Sequence, residues 1–114
     1  LARLHSTEMA RNGYVGHAGP EGDGPTVRAG ELGVGCSGHA VGENVLRTYY
    51  QRSVETSEGH EIYSTEKELA RGIVNQWMDS EGHRRNLLWE GYEREGIGVR
   101  ITRSGEVYVT QNLC

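Results

Sequence analysis

The stretch "VNQWMDSEGHRRNLL", Val74 to Leu88, decides how this chain is read. Its first half extends an apolar stripe, Leu69, Ile73, Val74, Trp77 and Met78, at helical spacing. That helix opens on a T-x-x-E capping box, Thr65 to Glu68, in which two side chains satisfy orphan backbone donors. An acidic, glycine-marked turn follows, and His83 then begins a second, short helix. Either Ser80 caps that helix, Gly82 eases the turn and His83 is an ordinary first-turn residue, or the turn aims the imidazole of His83 into a pocket. Position in the sequence leaves both open.

Working outward toward the end of the chain, "GIGVRIT" and "EVYVTQNLC" are rich in β-branched residues. The "RSG" between them predicts a hairpin. In the other direction, "SVETSEGHEIYSTEKE" is a polar excursion, a loop or a short extended piece. "GENVLRTYY" is expected to begin a helix, because Val45, Leu46, Tyr49 and Tyr50 recur at helical spacing. From Gly16 to Gly42 glycines recur with Pro20 and Pro25, which predicts a long irregular loop with a short helical turn near Thr26 to Gly30. "LARLHSTEMA" reads as an amphipathic helix closed at Asn12-Gly13. Because it reads as the middle of such a helix, the chain is expected to begin after a processed or truncated leader. Helices first and a terminal hairpin last make an α+β arrangement.

The 114 residues suit one domain, 1–114, with one core. The formal net charge of -4 argues against nucleic acid or an anionic membrane as a non-specific partner. No apolar run approaches the roughly 20 residues of a transmembrane helix. Internal repeats, a Walker loop, HExxH and a GxSxG elbow are all absent. Cys36 sits in the glycine-rich loop and Cys114 ends the chain, a pattern that fits neither a zinc ribbon nor CxxC. A disulfide between them would tie a strand end to a long loop and contribute roughly 4–5 kcal/mol in the chain-entropy model. Two free thiols are the alternative. A bridge would imply an oxidising, extracellular setting.

Of the histidines, His60 lies in the polar excursion and reads as solvated. His39 leans structural, and His5, beside Leu4, reads as a partly buried, hydrogen-bonded residue. His17 and His83 each follow a glycine at a loop–helix boundary, where side chains from separate segments can converge. Glu43, in "GEN", is their natural carboxylate partner. Facing inward, it would fix an imidazole tautomer or complete a metal site; facing outward, it would merely cap a helix.

"LARLHSTEMA", "VGHAGPEG", "VGENV", "VNQWMDSEGHRRNLL", "GIGVRI" and "YVTQNLC" occur here in the order seen in the CAP superfamily. That superfamily groups cysteine-rich secretory proteins, antigen 5 and pathogenesis-related 1 proteins, also called SCP-like domains. The resemblance covers nearly the whole chain and is closest to the prokaryotic branch. It implies a three-layer α-β-α sandwich with a small, mostly antiparallel sheet, and a secreted protein. It also implies a central cleft with two histidines and acidic residues, reported in several members to hold a divalent metal. Carried over, "GHAGPEG" supplies His17, "GEN" supplies Glu43 and "GHRRNLL" supplies His83. The second acidic position of the eukaryotic pattern falls on Ser80, and the nearest carboxylate is Asp79.

The family's usual first helix has no counterpart before "LARLHSTEMA", so a strip of core is expected to be uncovered or supplied from elsewhere. Three functions follow as expectations. One is a binding module for a divalent metal such as Zn²⁺, a small ligand or an extracellular protein; His17, His83 and Glu43 would be the metal ligands. Sterol or lipid binding enters by resemblance alone. Another is a metal-dependent hydrolase of peptidase type with Glu43 as base, although no nucleophile is evident. Ser6 and Ser80 read as helix-surface and capping residues. The third is a structural interaction domain.

Overall fold

The computed structural model describes residues 1–36 and 39–114; Ser37 and Gly38, within the stretch expected to be an irregular loop, lie outside the described residues. Helix α1 spans Ala2–Asn12 and stops at Gly13, whose φ of 68° is the left-handed conformation glycine adopts without strain. Pro25 opens the short α2, Pro25–Glu31, where its fixed φ suits the first turn. Strand β1 (Gly42–Tyr49), the hairpin β2 (Ser53–Thr56) and β3 (Gly59–Ile62), then α3 (Glu66–Met78) and α4 (Glu81–Leu88) follow. Strands β4 (Glu95–Ile101) and β5 (Glu106–Leu113) complete the described elements.

The main sheet has the order β1-β5-β4, antiparallel throughout, with Glu43 opposite Asn112 and Arg100 opposite Tyr108. β5 is central and buried along nearly its whole length. Its residues alternate between two cores. Val107 and Val109 pack with Leu69, Ile73 and Trp77 of α3. Tyr108 packs with Val45 and with Met9 of α1. Helices therefore cover both faces, an α+β three-layer sandwich.

β1 corrects one expectation: "GENVLRTYY" is a strand, not a helix. Successive side chains of a strand point to opposite faces, and here both faces are covered. Val45 faces Met9 of α1 while Leu46 faces the α3 core. Adjacent apolar pairs at Val45-Leu46 and Tyr49-Tyr50 then imitate helical spacing. The polar excursion is the extended alternative, with His60 exposed on β3.

The capping box forms, with a variation. Thr65 Oγ1 accepts from the Glu68 N–H at 3.1 Å, but the Glu68 carboxylate accepts from the Ser64 N–H at 3.0 Å rather than from Thr65. Along α3, Leu69, Ile73 and Trp77 are buried, whereas Val74 is exposed. Trp77 also donates through Nε1 to the Val45 carbonyl at 3.1 Å, which satisfies its one polar atom inside the core.

On the opposite face, Ser6 is buried rather than on the helix surface. Its hydroxyl bonds the Gly98 carbonyl and Thr110 Oγ1, both at 2.8 Å. That contact requires Gly98, because a Cβ there would collide with the α1 backbone at Ala2 and Arg3. Cys36 and Cys114 are joined, with Cα atoms 5.0 Å apart, so the loop end is pinned to the end of β5. On the α3 side of the edge strand β4, Ile97, Val99 and Ile101 are exposed.

Candidate functional site

Three separate anchors bring His17, Glu43 and His83 to one end of the sheet. The loop carrying His17 is held at both neighbouring carbonyls. Buried His5 hydrogen-bonds the Gly16 carbonyl through Nε2 at 2.7 Å, and Arg28 Nη2 donates to the His17 carbonyl at 2.8 Å. Glu43 is fixed by the β1–β5 register. α4, which carries His83, is docked on β1 by amides: Asn44 Nδ2 donates to the His83 carbonyl, and Asn86 Nδ2 donates to the Glu43 carbonyl and Asn44 Oδ1, all at 3.1 Å. Ser80 occupies the N-cap position of α4, but its hydroxyl makes no cap bond. Its backbone carbonyl instead accepts from Arg84 N.

Glu43 is 4% exposed, and both its oxygens accept hydrogen bonds. Oε1 accepts from His17 Nδ1 and from Arg28 Nη2, both at 3.0 Å. Oε2 accepts from Arg28 Nη2 at 2.9 Å and from Asn112 Nδ2 at 2.8 Å. His5 Nε2 stands 3.9 Å from Oε1. Arg28 Nη2 has two hydrogens and the His17 carbonyl takes one, so its contacts to the two oxygens share the other; His17, Arg28 and Asn112 together supply three donors to the carboxylate. The buried carboxylate has a buried cation as partner, the condition under which such a charge is tolerated.

This arrangement sets the chemistry of the two imidazoles. Because Glu43 accepts from His17 Nδ1, the neutral form of this ring has its lone pair on Nε2. The His17 side chain is 55% exposed. His83 is half-buried, with its ring centroid 6.5 Å from that of Trp77. Burial, and then the charge His17 would carry when protonated, hold the His83 pKa below the ordinary histidine value. His83 is therefore neutral at pH 7 and also offers a lone pair.

Asp79 is placed elsewhere. It is exposed at the end of α3, where it accepts from Ser57 Oγ of the β2–β3 turn at 2.6 Å. It lines a polar hollow with Glu58 and Glu61. Arg28, Asn112 and Asn44 are central to the site and were absent from the candidates read in the sequence. Arg28 lies in a helical turn too short to show which of its sides is buried, and Asn112 follows two other polar residues, Thr110 and Gln111, in β5. The only available signal was that an Asn, Gln or Thr in a buried strand needs a partner.

A metal centre that used Glu43 as a ligand would have to draw its carboxylate away from Arg28 and Asn112. Among the described residues, no group of three or more His, Cys, Asp or Glu is arranged to hold a metal ion. Glu43 instead acts behind His17, orienting it.

Comparison with known proteins agrees with this architecture. The model of the cysteine-rich secretory protein family, CAP, matches residues 1–113. Uncharacterized protein YkwD of Bacillus subtilis (strain 168) is 28% identical over 110 residues, covering 96% of this chain and 34% of YkwD. A crystal structure of an extracellular protein containing a SCP domain, from Bacillus anthracis str. Ames, superposes with a TM-score of 0.62 at 28% identity. It covers 98% of this chain and 29% of that one. The chain thus spans about a third of the length of these relatives. With nearly every residue inside the family match and the helices covering both faces of the β1-β5-β4 sheet, the chain belongs to the CAP, or cysteine-rich secretory protein, family.

Proposed function

We propose that this domain is an extracellular binding module whose recognition point is the imidazole pair His17 and His83. The supporting observation is the set of donors held by buried Glu43. A buried carboxylate that accepts from His17, Arg28 and Asn112 serves to hold His17 in one orientation. The two imidazoles bind donor groups of a small ligand, or a divalent ion such as Zn²⁺ whose remaining positions are filled by water or the ligand. The hydrolase alternative needs Glu43 as base, whereas its carboxylate is buried and ion-paired with Arg28, which disfavours taking up a proton. The disulfide and the extracellular relative support an oxidising location.

Calorimetric titration of the metal-stripped domain with Zn²⁺ at neutral pH tests this reading. Saturable binding should be lost in His17→Ala and in His83→Ala. In Glu43→Gln, checked for a dispersed amide spectrum, it should weaken by about 10–100-fold, as for a residue that orients a ligand without being one. Loss in Glu43→Gln as complete as in the histidine variants would make Glu43 a direct ligand. No binding to the wild type would reduce the cluster to a structural role.

A further inference from the structure

We infer that a second site, at the opposite end of the sheet, binds a phosphate-ester group. A concavity of about 320 Å³ lies between α1 and the end of β4, lined by Thr7, Ala10, Arg11, Arg100, Ile101, Thr102 and Arg103. Asn112 and Val107 are five residues apart on β5, so it is about 17 Å along the strand from the Glu43 cluster. It does not depend on the imidazole reading.

Three arginines line it, from three different places in the chain. Arg11 comes from the last turn of α1, Arg100 from the α1-facing side of β4, and Arg103 from the β4–β5 turn. No Asp or Glu lines the concavity. Among the described residues, none of the three arginines makes an ion pair, whereas Arg28 and Arg85 do. The acids nearest in sequence have other neighbours: Glu8 Oε2 lies 3.7 Å from His5 Nδ1, and Glu106 Oε2 accepts from the Tyr108 hydroxyl at 3.0 Å. In a chain with 16 acidic against 12 basic side chains, this is a local reversal of sign. Gathering like charges raises the energy of the empty site, and an anion relieves it.

The available donors narrow the ligand class. Thr7 Oγ1 already donates to the Arg3 carbonyl, and Thr102 Oγ1 accepts from the Glu106 N–H and pairs with Ser104 Oγ. Recognition therefore falls to the arginines, whose planar forks match phosphate oxygens. A phosphomonoester brings nearly two charges at pH 7. The space exceeds a bare phosphate and leaves room for the alcohol part of the ester. The same chemistry is presented by a soluble ester and by an anionic lipid headgroup.

Two titrations test the site on the intact domain at low salt. Soluble glycerol 3-phosphate is followed by amide chemical shifts, and sedimentation uses phosphatidylcholine vesicles with and without phosphatidic acid, whose headgroup is a phosphomonoester. The expected result is saturable shifts centred on Arg100–Gly105 and the end of α1. They should weaken at least tenfold in Arg100→Gln/Arg103→Gln and persist in Arg71→Gln, an arginine on α3. Vesicle binding that is selective for phosphatidic acid and lost in the same double variant supports the headgroup as source; shifts with glycerol 3-phosphate support the soluble ester. No response to either probe overturns the site. Equal weakening in Arg71→Gln also overturns it, by making the attraction diffuse.

Discussion

Arg28 and Arg100 are the same kind of side chain in opposite circumstances. Arg28 is buried, and one of its nitrogens serves both oxygens of Glu43 and the His17 carbonyl. Arg100 faces a concavity with two further arginines and no carboxylate. At the first end of the sheet, the carboxylate and guanidinium are paired with each other, and what remains exposed for a ligand is imidazole. At the second, charge has been left unspent. A charged residue is informative about ligands only once its partners are counted.

The comparison breaks most sharply at Glu43. Replacing it with Ala leaves the Arg28 guanidinium buried without a counter-charge, which should destabilise the domain by about 3–5 kcal/mol in urea unfolding. A loss below about 1 kcal/mol would mean that the pair contributes little to holding the site. Reducing the Cys36–Cys114 bridge should cost about 2–5 kcal/mol. The bridge adjoins Asn112 in sequence and so anchors the Glu43 end. Amide exchange should therefore quicken around Gly16, Glu43 and Asn112 and stay unchanged around Arg100. Uniform acceleration would show that the two ends open as one unit.

A smaller effect concerns His83. Its folded-state pKa lies below the ordinary histidine value of 6.5, so as pH falls the unfolded chain takes up the proton first. Stability from neutral His83 is present above about pH 6.5. It is lost as pH falls through the window between the unfolded and folded values, and then levels off. In His83→Gln this slope should vanish from urea midpoints measured between pH 8 and 5; an unchanged slope would place its origin elsewhere. In His17→Gln, the His83 ring should titrate closer to its ordinary value, by proton NMR, because one of the two causes of its shift is gone. The smallest effect is at the other end. Arg100→Gln should change stability by no more than about 0.5 kcal/mol, as expected for a surface residue with no partner to lose. A larger loss would reveal a structural role and weaken the case for an open anion site.

How much of this was legible in the residues varied with the range of the interaction. The capping box at Thr65–Glu68 and the stripe through Leu69, Ile73 and Trp77 are local, so α3 was readable almost to its ends. The β4–β5 hairpin was readable for the same reason. "GENVLRTYY" was misread because its apolar residues serve two cores, and a segment covered on both faces loses the alternation that marks a strand. Ser6 was misplaced because its partners, Gly98 and Thr110, are more than 90 residues away.

By itself the sequence determined the helix boundaries at Gly13 and Thr65, the terminal hairpin, the two cysteines available for one bridge, and the candidates His17, Glu43 and His83. Only the tertiary structure decided that Glu43 is buried against Arg28, His17 and Asn112, and that Asp79 turns away to Ser57. It also decided that Arg11, Arg100 and Arg103 line one concavity. Short-range capping and turn chemistry is written in neighbouring residues. Whether a charge is spent or free depends on partners that only folding brings within hydrogen-bond distance.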